Sequence, residues 1–181
     1  MKVKVKYLND DVKDLYLKAS DGKSELPFKT YNEDFCYDVV ATSCEEIAPN
    51  VYKYKFGLSF EIVREDMKYI AFGEMDYPGY GFENTFDVKP KEFNVSIDAR
   101  PRSSIWKTGM ILSNCEGTID ELYRGDCAAI FYHLLPNMPK YEIGDKICQI
   151  KLGFTLPIQF VVVDELSETA RGSGGFGSTG K

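Results

Sequence analysis

The sequence has a single histidine, His133, and a single tryptophan, Trp106, among its 181 residues. Its five cysteines, Cys36, Cys44, Cys115, Cys127 and Cys148, form no CxxC pair. One imidazole and scattered thiols argue against a zinc site, which draws on closely spaced ligands. An odd number of thiols in no framework reads as free, buried cysteines in a reducing compartment. No apolar run approaches the ~20 residues of a membrane helix. Residues 1–7 alternate lysine with apolar side chains, which is not the pattern of a signal peptide. An excess of positive charge is missing too: the formal net charge is -6. No general field therefore draws the chain to nucleic acid, and a polyanionic ligand would need a local cluster of donors. These absences point to a soluble, intracellular, cytoplasmic protein with neither nucleic acid nor membrane as partner.

What is present is alternation. Hydrophobic residues make up 44% of the chain, enough for the core of one domain. Val3, Val5 and Tyr7 face away from Lys2, Lys4 and Lys6. Tyr52, Tyr54, Phe56, Leu58 and Phe60 repeat the period of two, and so do Phe93, Val95 and Ile97. Ile147, Ile150, Leu152, Ile158 and residues 160–163 supply further strand-like runs, with Gly, Pro, Asn and Asp clusters between them. Residues 10–18 could form a helical turn, but their spacing is ambiguous. No long stretch has a 3.6-residue period and no internal repeat is visible. The class is all-β, as a sandwich or barrel.

Two segments stand apart. Residues 65–91 are rich in Gly, Tyr, Asp and Pro and read as an irregular excursion with room for a hairpin. Their aromatics, Tyr69, Phe72, Tyr77, Tyr80, Phe82 and Phe86, could offer a contact surface to a protein partner. Local packing of a long loop is the plainer account. Residues 165–181 begin polar and end in a glycine-rich arm, expected to be mobile unless a ligand orders it.

The arm carries the first chemical signal. Gly175-Phe-Gly-Ser-Thr-Gly-Lys181 matches much of a P-loop, but that motif needs a helix after the lysine, and none is expected here. The composition still suits a phosphate. Glycines let backbone N–H groups approach oxygens, and Arg171, Ser178 and Thr179 add donors. Phe176 has no core to join and could stack on a base. A disordered terminus is the plainer reading of composition alone. The second signal is Gly117-Thr-Ile-Asp-Glu-Leu-Tyr-Arg-Gly125, read as a hairpin. A carboxylate such as Asp120 could orient a water as general base, and Tyr123 could pack under a sugar. An ordinary hairpin with a surface aspartate fits the spacing equally.

Together these two motifs resemble the signature segments of the trimeric dUTPases. Three further segments resemble the remaining family motifs in the same order: Tyr37-Asp38-Val39 with Ala41, Pro101-Arg-Ser-Ser104, and Gly144-Asp-Lys-Ile-Cys-Gln149. The resemblance spans about residues 35–181, interrupted at the excursion. The chain departs from the family at Cys36, at the bulky Trp106, and in the long interval from Asp38 to Pro101, which residues 65–91 account for.

The resemblance implies a dUTPase-like β-clip or jelly roll forming a homotrimer with shared sites and a mobile glycine-rich C-terminal arm. A β domain at 1–164, with 65–91 inserted in it, would precede the arm at 165–181. The implied reaction is hydrolysis of dUTP to dUMP and pyrophosphate with Mg2+, by water attack on the α-phosphorus. By motif, Asp120 would deprotonate that water and Gln149 would help hold it. Asp38 would bind the Mg2+ shell through water. Arg102, Ser103 and Ser104 would contact phosphates. Asn114, with the backbone at Gly117 and Ile119, would read the uracil edge, and Tyr123 would pack on deoxyribose. From the arm, Arg171, Gly177, Ser178 and Thr179 would hold phosphates while Phe176 stacks on uracil.

Two other readings are weighed against this one. A dCTP deaminase of the same fold would have an Ala-Arg pair after Ser103 and Ser104, and a glutamate on a later strand. The chain has Ile-Trp-Lys in the first place and no glutamate across residues 127–133. A regulatory protein of this fold, binding a partner through 65–91, would not need the catalytic positions that are intact here.

Overall fold

The lysine alternation at the N-terminus becomes β1 (Lys2–Tyr7), with exposed lysines and half-buried Val3, Val5 and Tyr7. The computed structural model describes residues 2–64, 70–71, 87–88 and 93–174. After β1 come α1 (Asp11–Ala19), β2 (Tyr37–Val40), β3 (Ser43–Ala48), β4 (Val51–Lys55), β5 (Leu58–Val63), β6 (Ile70–Ala71) and β7 (Asp87–Val88). Then follow β8 (Asn94–Pro101), a 3-10 turn (Ser103–Lys107), β9 (Met110–Leu112), β10 (Gly117–Asp120), β11 (Ala128–His133) and β12 (Lys146–Thr155).

Two four-stranded sheets, in the orders β10-β8-β12-β2 and β3-β4-β11-β9, carry the architecture. β1 adds an antiparallel pair with β5. Apolar faces close a core in which Val39, Val40, Tyr54, Phe56, Leu58, Phe131 and Ile147 are fully buried. The rings of Tyr54, Phe131 and Tyr141 meet edge-on, with centroids 5.4–6.2 Å apart, the arrangement ring quadrupoles favour. The result is an all-β jelly roll with one α-helix among the described residues.

That helix settles the ambiguous spacing of residues 10–18. Val12 and Tyr16, four residues apart, are its buried anchors. The Tyr16 hydroxyl donates to the Phe56 carbonyl and accepts from the Val40 amide, both at 3.3 Å, so the helix is tied to β2 and to the end of β4.

The structure corrects several expectations. The alternation from Tyr52 to Phe60 is two strands, broken at Gly57, whose φ of +68° favours glycine. A side chain there would also meet Val12 Cγ2 at 2.5 Å. Burial stays in phase across the break. Residues 158 and 160–163 form no strand. They are exposed, and among the described residues no strand pairs with them to take their backbone hydrogen bonds. All five cysteines are free, but only Cys127 and Cys148 are buried; Cys44 and Cys115 are exposed and Cys36 is intermediate. The hairpin expected within 65–91 has a counterpart in the β6–β7 pairing. The six aromatics of that segment lie outside the described residues.

Candidate functional site

Asp38 sits on β2, opposite Gln149 on β12, which lies opposite Arg100 on β8. Two antiparallel bonds to Phe28 fix the Asp38 backbone. Its side chain is only 4% exposed. Burying a carboxylate is costly unless donors compensate, and three do. Arg102 Nε donates to Oδ1 at 3.0 Å, Arg102 Nη2 to Oδ2 at 3.3 Å, and Gln149 Nε2 to Oδ1 at 3.1 Å. Lys146 Nζ stands 4.0 Å from Oδ2. Thus the first, second and fourth motifs converge within one chain. Two cations beside one carboxylate give the cluster a net positive charge inside an acidic protein.

Ser103 and Ser104 open the turn that follows Arg102, with Ser103 exposed and Ser104 half-buried. Trp106 is exposed, with Lys107 Nζ 5.6 Å from its ring centroid. Lys146 belongs to the fourth motif, yet the sequence reading does not single it out. Its signal is a cation three residues before Gln149. Tyr141, buried behind the cluster, has a hydroxyl with no hydrogen-bond partner among the described residues.

The third motif makes a separate unit. It is not the hairpin expected from sequence: β10 pairs with β8, whereas the flanking β9 and β11 belong to the other sheet. Asp120 ends β10 and is exposed. Among the described residues none donates to its carboxylate, so its oxygens are available to a water. The Tyr123 amide closes the next turn on the Asp120 carbonyl at 3.0 Å. The Tyr123 ring folds back over Gly125, where any Cβ would collide with it, and its hydroxyl donates to the Asp126 carbonyl at 3.2 Å. Asn114 is exposed beside half-buried Gly117, whose added Cβ would lie 3.5 Å from Asn114 Nδ2, and Ile119 is half-buried.

The two units do not meet. Asp120 pairs with Ser96, four residues before Arg100 on β8, and β10 and β2 are opposite edges of the sheet. At about 3.3 Å per residue and about 4.8 Å between strands, Asp120 and Asp38 stand about 20 Å apart. Ion pairs fill the face between them. Lys151 Nζ and Ser96 Oγ donate to Asp98 at 2.7 and 2.8 Å, and Arg100 pairs with Glu116. Burial raises the Asp98 carboxyl, but the two donors outweigh it and hold its pKa below the ordinary value.

Arg171 is exposed and bonds within its own segment, its Nε donating to the Gly174 carbonyl at 2.9 Å. Phe176, Gly177, Ser178 and Thr179 lie outside the described residues. Among the described residues no cluster of three or more His, Cys, Asp or Glu side chains could hold a metal. Among them, too, no helix is long and apolar enough to cross a membrane.

A family model described as dUTPase matches residues 93–180. The chain is 32% identical over 131 residues to the deoxyuridine 5'-triphosphate nucleotidohydrolase of Nautilia profundicola, a match covering 72% of this chain and 89% of that one. The dUTPase of Staphylococcus bacteriophage 80alpha, solved with dUPNHPP, superposes with a TM-score of 0.63 and covers 99% of both chains at 17% identity. A variant of the dUTPase of S. aureus phage phi11, solved to describe a structural Mg(II) ion, superposes at 0.56 over 93% of this chain and 100% of that one, at 13% identity. At such identities the two solved structures speak for the fold.

Proposed function

The chain belongs to the dUTPase family, and we propose that it hydrolyses dUTP to dUMP and pyrophosphate by combining the two separated units across a subunit boundary. The observation that carries this reading is the Asp38–Arg102–Gln149 cluster, which with Lys146 forms a cationic group assembled from three motifs. Arg102 and Lys146 offer charge to a triphosphate, with Ser103 and Ser104 as further donors. Asp120, whose carboxylate accepts no hydrogen bond among the described residues, takes a proton from water as the water oxygen bonds to the α-phosphorus. The bond to the β-phosphate oxygen breaks, and pyrophosphate leaves. Gln149 orients the water from the other side. Asn114 and the backbone at Gly117 and Ile119 read uracil, and Tyr123 lies against the sugar, where a 2′-OH would collide.

Mg2+ fits this donor set. The Asp38 carboxylate already accepts from Arg102 and Gln149, so it suits an ion that keeps its waters and is bound chiefly by substrate phosphates. Asp38 would reach the ion through water. Bound there, Mg2+ would neutralise charge on the phosphate chain.

A base must lie within hydrogen-bond reach of the water it activates, and about 20 Å is far outside that reach. Homotrimer formation removes the conflict. One subunit supplies Asp38, Arg102 and Gln149, a second supplies Asp120 and Tyr123, and a third supplies the arm. Exposed Ile158, Phe160, Val162 and Leu166 support this assembly, since so apolar a segment calls for cover. The β domain is residues 1–164, with 65–91 as an insertion, and 165–181 is the arm. Arg171, Gly177, Ser178 and Thr179 close on phosphates and Phe176 on uracil. The compartment is the cytoplasm.

Incubation of the purified protein with dUTP and Mg2+ should yield dUMP and pyrophosphate in equal amounts, with UTP, dCTP and dTTP turned over far more slowly. Comparable rates on dUTP and UTP would remove Tyr123 from the sugar, and deamination of dCTP would replace the assignment altogether.

A further inference from the structure

Arg64 follows β5, just before the excursion, and is bound to the turn after Asp120. Its Nε and Nη2 fork onto both carboxylate oxygens of Glu121, the residue after Asp120. Its Nη1 donates to the Phe93 carbonyl at 2.9 Å, and its guanidinium lies 5.4 Å from the Phe93 ring centroid. Both partners are three-quarters buried. A planar fork on a carboxylate, backed by an aromatic ring, fixes direction as well as distance.

The same strand secures the rest of the segment. Ser59 Oγ donates to the Arg124 carbonyl at 2.7 Å, and the Cys127 amide donates to Leu58 at 3.0 Å. The Gly57 amide donates to Asp126 Oδ1 at 3.1 Å. Residues 121–127 thus follow β5, and Arg64 is the contact nearest to Asp120. Among the described residues Asp120 itself is held only through its backbone: the β8 ladder on one side and the Tyr123 amide on the other.

We propose that Arg64 is a positioning residue for catalysis, holding Glu121 and thereby the aim of the Asp120 carboxylate. The inference rests on Asp120 as the base of dUTP hydrolysis. In this role Arg64 acts through Glu121 and not on the reacting atoms. It limits the swing of a strand end, where a displacement of about 1 Å can cost about 100-fold in rate.

The test is a double-mutant cycle with Arg64→Met, Glu121→Met and the pair, plus Arg64→Lys as the conservative variant. Each single methionine variant should lower kcat about tenfold while KM for dUTP changes less than about threefold, and the double variant should be no worse than the worse single. Arg64→Lys, which keeps the charge and one donor, should fall between Arg64→Met and the parent, and it covers the case in which a methionine variant does not fold. Amide hydrogen exchange at Tyr123 gives a readout independent of turnover. It should quicken about tenfold in Arg64→Met, because the turn that it closes loosens. Parent-like kcat in the single variants, additive losses, or unchanged Tyr123 exchange would each overturn the proposal. If the parent does not hydrolyse dUTP while Tyr123 exchange still quickens, the function assigned above has failed and the clamp on the turn stands.

Discussion

Gln149 faces Asp38 directly across the β12–β2 ladder, and its amide donates to the Asp38 carboxylate at 3.1 Å. Arg102 supplies the other two donors. Removing the guanidinium leaves a buried charge with one hydrogen bond. Arg102→Met should therefore destabilise the fold by about 3 kcal/mol and abolish most dUTP turnover. Asp38→Asn combined with Arg102→Met should regain most of that stability and none of the activity. Urea denaturation measures the first effect; an Arg102→Met protein as stable as the parent would show that Asp38 does not depend on it.

Mixing two inactive proteins tests the division of the site. One carries Asp120→Asn, which should bind dUTP but lose at least ~100-fold in turnover. The other ends before Arg171. Refolded together in equal amounts, they should form cyclic trimers in which about a quarter of sites draw both intact parts. Mixed trimers, verified by mass, that remain inactive would refute the shared site while leaving dUTP hydrolysis possible.

The excursion should be removable. Arg64 and Phe93 meet through a hydrogen bond of 2.9 Å, so the ends of the segment already lie together. Deleting residues 65–91 and joining the ends with a short turn should leave a folded protein with measurable hydrolysis, because loop length changes stability only slowly. A folded trimer without activity would make the segment part of the site.

Asp98 predicts an acid limb. Its carboxyl is held below its ordinary value of 3.8 against the pull of burial, by Lys151 and Ser96. A depressed folded value means that the stabilisation is complete above the unfolded value and is lost as pH falls through the folded one. Thermal melting of the parent should therefore steepen from about pH 4 downward. Asp98→Asn should melt lower at pH 7 but show a shallower acid limb; parallel limbs in the two proteins would contradict this origin.

Burial pushes the thiols of Cys127 and Cys148 up to about 12. Thiolate is the reactive form. Alkylation of the native protein at pH 8, read by peptide mass, should modify Cys44 and Cys115 first and reach Cys127 and Cys148 only after unfolding. Modification of Cys148 as fast as Cys44 would contradict its burial.

Much of this architecture can be read from local pattern. Lysine alternation marks β1 because one face meets water along its whole length. The convergence of Asp38, Arg102 and Gln149 is legible as motifs, since these sit on strands whose pairing keeps them together. The helix is less legible, because Val12 and Tyr16 are only two anchors. Residues 158 and 160–163 have strand composition, but strand formation needs a neighbour that composition cannot supply. The isolation of Asp120 from Asp38 depends on sheet order, and the Arg64–Glu121 pair spans 57 positions of sequence. Neither leaves any local trace.

The spacing between Asp38 and Asp120 has a consequence for the life of the protein. A rigid sheet, not a hinge, separates them, so thermal breathing of a solitary chain cannot close the gap. With the site shared between subunits as proposed, a newly synthesised copy would be chemically silent until it met others. Specific activity would then fall on dilution, and that fall would report the dissociation constant of the assembly without any labelled subunit. Deoxynucleotide sanitation would switch on with accumulation of the protein, at a threshold written into the order of four strands.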